Sequence, residues 1–83
     1  MIPENSIYLP LSDLQTGEMA YLVGTMTGRH SASRLASLGF TPGVIIQMTQ
    51  NYGHGPLVVI VRGTRVALGR HEAAHILVQR SVS

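Results

Sequence analysis

A chain of 83 residues forms one domain at most; it buries roughly 60% of its unfolded surface, enough for a small barrel or bundle but not for a deep, water-excluding cleft. Apolar residues are 45% of the chain and charged residues 12%, which excludes a disordered chain, and the absence of cysteine excludes disulfides, thiolate metal sites and a thiol nucleophile. The net charge of +2 rests on six arginines and four acids, and Arg29, Arg34, Arg62, Arg65, Arg70 and Arg80 are spread along the chain rather than clustered as in polyanion binders.

Residues 1–10 carry neither the basic region nor the apolar core of a secretory signal. Pro3 and Pro10 predict an irregular lead over residues 1–8. Leu11 and Leu14, three apart and followed by Gly17, predict a single helical turn over residues 11–15. Residues 18–27 read as a strand, in which Gly24 invites a bulge. Residues 31–39 give the clearest helix: Ser31 is the expected N-cap, Leu35 and Leu38 share a face, Gly39 suits the left-handed residue past the end, and Pro42 prevents resumption. At barely two turns the helix needs a core made elsewhere.

That core is β. Residues 44–48 are branched and apolar, as in a strand buried on one or both faces. Residues 51–56 form a glycine-rich loop. Residues 57–62 and 65–68, separated by Gly63-Thr64, predict a hairpin closed by a type II′ turn with glycine first. Residues 70–75 fit about one and a half helical turns, and strand character resumes over 76–78. The longest aliphatic run, residues 57–61, is far short of the roughly 20 residues of a membrane helix, so the chain is expected in the cytoplasm and not inserted in a membrane. The expected architecture is mainly β: one domain over residues 1–83, a small SH3-like barrel of about five strands with one or two short helices, residues 80–83 forming a tail. An OB-fold, which wants longer strands, comes second.

The run Arg34-Leu35-Ala36-Ser37-Leu38-Gly39-Phe40-Thr41-Pro42-Gly43 resembles the RLxxLGxxPG core of the ferrous-iron transport protein A (FeoA) family, whose SH3-like module also occurs at the C-terminus of some metal-dependent repressors. Leu11, Leu14 and Gly17 upstream agree, as do the valine-rich hairpin after Gly55-Pro56 and the closing Ala67, Leu68, Ala73, Ile76 and Val78, so the resemblance spans roughly residues 9–79. It implies a small cytoplasmic, non-enzymatic accessory protein of bacterial ferrous iron uptake. Such a protein acts by contact on the cytoplasmic portion of the large membrane permease that carries a GTP-binding domain. The matched residues are fold residues: Leu35 and Leu38 plug the core, Gly39 caps the helix, and Pro42-Gly43 turns the chain. They identify an architecture and carry no chemistry.

His71-Glu72-Ala73-Ala74-His75 spells HExxH, which on a helix sets two imidazoles on one face beside a base. A zinc protease needs a third ligand, and the eight residues after His75 contain no His, Asp, Glu or Cys. The pair is nevertheless a metal anchor candidate, with Glu72 beside it and His54 or His30 as further ligands if brought close. The family pattern requires no histidine at 71 or 75, so such a role belongs to this chain. No cofactor is required by the family reading; Zn²⁺ or Fe²⁺ at these histidines, and a metal-bridged homodimer, are the expectations the pair raises. The competing interpretation is two solvated surface histidines.

Tyr52 and His54 on the loop, and Arg62 and Arg65 flanking the hairpin turn, are the candidate partner contacts. Met19, Met26 and Met48 read as core filler. A divalent-metal carrier or sensor built on His71 and His75 is the alternative function. A nucleic-acid-binding barrel ranks below both, because the sequence offers neither clustered cations nor an aromatic platform.

Overall fold

The computed structural model describes residues 6–81. Its elements are β1 (Ser6–Pro10), a 3₁₀ turn (Leu11–Asp13), β2 (Met19–Thr25), α1 (Arg29–Ser37), β3 (Ile45–Gln50), β4 (Leu57–Val61), β5 (Thr64–Leu68), α2 (Arg70–Ala73) and β6 (Ile76–Ser81). The strands form one antiparallel sheet in the order β1-β6-β2-β3-β4-β5. This is the mainly β, SH3-like architecture expected, with six strands in place of about five.

The added strand corrects the reading of residues 1–8 as an irregular lead. Residues 6–8 pair with β6, Tyr8 opposite Gln79, while residues 1–5 lie outside the described residues. β1 is an edge strand, and Pro10 closes it where the missing N–H costs no interior ladder bond. The tail expected over 80–83 is corrected for the same reason: β6 runs through Arg80 and Ser81 because β1 pairs with them, Ile7 opposite Arg80 and Ser6 opposite Ser81, beyond the last partner in β2. Residues 82–83 lie outside the described residues.

Alternation builds the core. Ala20 and Leu22 of β2, Ile46 and Met48 of β3, and Leu57, Val59 and Val61 of β4 point inward and are buried. Leu11 and Leu14 close one part of this core, and Leu35 and Phe40 close another; all four are buried. Of the methionines read as filler, Met48 is buried, but Met19 and Met26 are exposed. The expected bulge is present, since the β2–β6 register shifts between Leu22 and Gly24.

Two local expectations are corrected. Helix α1 begins at Arg29 with Gly28 as N-cap and no side-chain cap bond; the first helical bond runs from the Ala32 N–H to the Gly28 carbonyl at 2.9 Å. Glycine at this position costs only a few tenths of a kcal/mol, about as little as the loss of a polar cap ever costs, which leaves the Ser31 side chain free. In the β4–β5 hairpin Val61 pairs with Thr64, so the two-residue loop is Arg62-Gly63, with φ of 51° and 77°. Positive φ at both central positions defines type I′ rather than II′; both primed turns match the twist of the flanking strands, and the pairing of Val61 with Thr64 sets which one forms.

Candidate functional site

Helix α2 is a single turn capped by Gly69, and, together with the turn after it, it brings both histidines of the HExxH run to one place, His71 on the helix and His75 two residues past its end. The His71 and His75 rings have centroids 4.8 Å apart and are tilted by 59°. Nδ1 of His75 lies 2.9 Å from the His71 carbonyl oxygen. A carbonyl can only accept, so Nδ1 carries the proton and Nε2 of the neutral ring keeps its lone pair. Glu72 does not join them as a free base: its carboxylate is ion-paired with the Arg34 guanidinium, tying α2 to α1.

An open cleft of about 300 Å³ lies between the start of α1 and α2, lined by Met26, Thr27, Ser31, His71, Glu72 and His75. The Thr27 hydroxyl is buried here without a hydrogen-bond partner among the described residues. No group of three or more His, Cys, Asp or Glu placed to hold a metal ion occurs among the described residues. His54, on the β3–β4 loop, and His30, on α1, therefore do not complete the pair within one chain.

The four candidate partner residues fall into two groups. Tyr52 and His54 are exposed on the loop before β4, and Arg62 and Arg65 follow its other end. Five residues of strand, about 3.3 Å each, separate them. Arg62 is engaged internally, its Nη2 donating to Thr41 Oγ1 at 3.1 Å. Arg65 stands exposed opposite Ile60.

The structure exposes a surface the sequence reading missed. Tyr8 lies opposite Gln79, Gln79 opposite Tyr21, and Tyr21 opposite Ile45, a continuous row across β1, β6, β2 and β3 on the outer face of the sheet. Tyr21 is 49% exposed, Ile45 51% and the adjacent Met19 60%, and a shallow depression of about 210 Å³ lies among Met19, Tyr21, Ile45 and Gln79. The signal was available: in residues 19–23 both alternating sets are apolar, so one set had to face outward in a sheet covered on one side only.

Charge borders this face. The Glu18 carboxylate accepts the Gln15 N–H at 2.8 Å and Arg80 Nη1 at 2.5 Å. The backbone bond, with Arg80 assisting, holds its pKa below the ordinary 4.5 against an opposing effect of burial.

The strand order, the exposed outer face and the histidine-lined cleft define a small SH3-like β module, an architecture that does not by itself fix a function. Comparison with known proteins places it within a family of that architecture. The FeoA domain family matches residues 9–80, and the chain belongs to this family. A crystal structure of an iron uptake regulatory protein (FeoA) is 32% identical over 92% of this chain and 100% of its own, with a TM-score of 0.83. The FeoA of Stenotrophomonas maltophilia, solved in complex with zinc and described as an SH3 domain protein proposed as a ferrous iron transport activating factor, is 30% identical, covering 88% of this chain and 96% of its own at a TM-score of 0.74. A manganese-dependent transcriptional repressor shares the fold over 98% of this chain and 45% of its own, at 18% identity and a TM-score of 0.80. No curated protein matches the sequence. Among the described residues no helix is long and apolar enough to cross a membrane.

Proposed function

We propose that this chain is a non-enzymatic, cytoplasmic accessory protein of bacterial ferrous iron uptake that acts by docking on the cytoplasmic portion of the GTP-binding iron permease. Family membership supports the pathway, and the iron uptake and transport-activating roles given for two FeoA relatives point the same way. The observation that carries docking is the exposed Tyr8, Tyr21, Ile45 and Met19, apolar side chains set in one row with Gln79 on the outside of a sheet whose core is complete without them. Aromatic and methionine side chains of this kind supply the central, desolvated part of protein interfaces. Tyr52 and His54 on the loop, and Arg65 beyond β4, serve as peripheral contacts, where truncation costs little. Arg62, bonded to Thr41, contributes least. No cofactor enters this reading.

The test is capture of the purified cytoplasmic portion of the permease by the immobilised chain. Wild type retains it, Tyr21→Asp and Ile45→Asp each lose it, and Tyr52→Ala and Arg65→Ala weaken it slightly. Retention by both aspartate variants would remove the outer face as the docking surface.

A further inference from the structure

The sheet face leaves the His71/His75 cleft without a role, and that cleft has the features of half a metal centre. An ion about 2.1 Å from one nitrogen of each ring, at an N–ion–N angle of roughly 90–110°, sets two imidazole centroids roughly 4.6–5.3 Å apart, and here they stand 4.8 Å apart. The His75 ring is held by its Nδ1–H bond to the His71 carbonyl. Histidine ligands in metal sites are oriented in the same way, with the second nitrogen donating to a carbonyl or carboxylate. Orientation and tautomer of one ligand are thus set before any ion arrives. The orphaned Thr27 hydroxyl shows that the same cleft holds polar capacity the fold does not use.

Two nitrogens leave such an ion half coordinated. Glu72, the nearest carboxylate in the sequence, is neutralised by Arg34, and the described residues bring no third ligand to the pair. The missing donors must come from outside the chain. A two-fold axis through the ion supplies them most simply, since it sets the same surface, and so the same histidine pair, opposite the first. His71 is exposed and the cleft opens to solvent, so the described residues leave that approach open.

We infer that His71 and His75 form half of an intermolecular site for a borderline divalent ion such as Zn²⁺, completed by the same two residues of a second copy. Imidazole donors select for this class of ion rather than for Mg²⁺ or Ca²⁺.

Sedimentation velocity on the full chain, in chelator and then with ZnCl₂, tests the inference, with a competition titration fixing the stoichiometry. The expected result is a monomer in chelator and a dimer at one ion per two chains with zinc. The dimer is lost in His71→Ala and in His75→Ala and retained in His30→Ala and His54→Ala. A wild type that stays monomeric at saturating zinc, or a dimer that persists in both His71→Ala and His75→Ala, overturns it. If His75→Ala fails to fold for want of its bond to the His71 carbonyl, His71→Ala decides, because that exposed ring makes no hydrogen bond among the described residues. The outcome is independent of permease capture, which reads the opposite chemistry on a different surface.

Discussion

The side chain of Arg62 lies across Gly39: a Cβ added at residue 39 would sit 3.0 Å from Arg62 Cδ. Gly39 has a φ of 103° and ends α1, with its N–H on the Ala36 carbonyl and the following Phe40 N–H returning to Leu35. One glycine therefore stops the helix, turns Phe40 into the core and leaves room for the hairpin's arginine.

Gly39→Ala should destabilise the protein by about 1–3 kcal/mol, through backbone strain at positive φ together with displacement of the Arg62 stem. Urea unfolding monitored by circular dichroism measures it. A loss below a few tenths of a kcal/mol would mean that the turn relaxes freely.

Leu35 is fully buried, whereas Leu38 on the same helix packs at the margin of the core. Leu35→Ala should cost about 2–5 kcal/mol, a large part of the stability of so small a domain, and Leu38→Ala distinctly less. Paired denaturation curves distinguish them, and equal losses would contradict the burial difference.

Asn51 joins three segments. Its Nδ2 donates to the Ser12 and Leu14 carbonyls at 3.0 and 2.8 Å, and its Oδ1 accepts from Gly53 N–H and Arg70 Nη2 at 3.2 and 2.9 Å. Asn51→Ala should lose about 1–3 kcal/mol, because part-buried groups are left without partners. Asn51→Asp should do worse than a conservative change suggests, since a carboxylate cannot donate to the two carbonyls. Thermal melts of both variants check the ranking.

Glu18 makes stability pH-dependent. Its carboxyl pKa is lower in the folded chain than the ordinary 4.5, so the folded state favours the ionised form. The resulting stabilisation is complete above the unfolded value and disappears as pH falls through the folded one. Wild type should exceed Glu18→Gln in stability at pH 7, and the gap should narrow as the pH is taken below 4.5. A gap constant with pH would assign the effect to geometry rather than charge.

Ile45→Thr, on the outer face, should change stability by no more than about 0.5 kcal/mol, because the core is complete beneath it. A loss as large as that of Leu35→Ala would show that this face is packed in the free protein.

Much of the fold was legible because it is written in short-range terms. Leu35, Leu38, Gly39 and Pro42 encode a helix, its stop and the turn that follows, and all act within a few residues of one another. The valines of β4 and β5 announce a hairpin but not its register: Arg62 occupies a left-handed position that arginine does not advertise, and only the pairing of Val61 with Thr64 reveals it. Ser31 has the residue type of a cap, yet Gly28, three residues earlier, takes the position, and Ser31 lies within the first turn of the helix.

The sequence alone determined that this is one small β domain without thiol chemistry, and its ordered pattern of leucines, glycines and prolines carried the family resemblance. The HExxH spelling also marked the two histidines on which the proposed intermolecular site is built. The tertiary structure decided what local pattern leaves undetermined. It aligned Tyr8, Gln79, Tyr21 and Ile45 from four strands, residues as distant in sequence as 8 and 79, into one exposed row. It also turned Glu72 away to Arg34 and separated Tyr52 and His54 from Arg62 and Arg65 by the length of β4. Strand order and register depend on which surfaces bury together over the whole chain, so a surface assembled from several strands exists only once the sheet has formed.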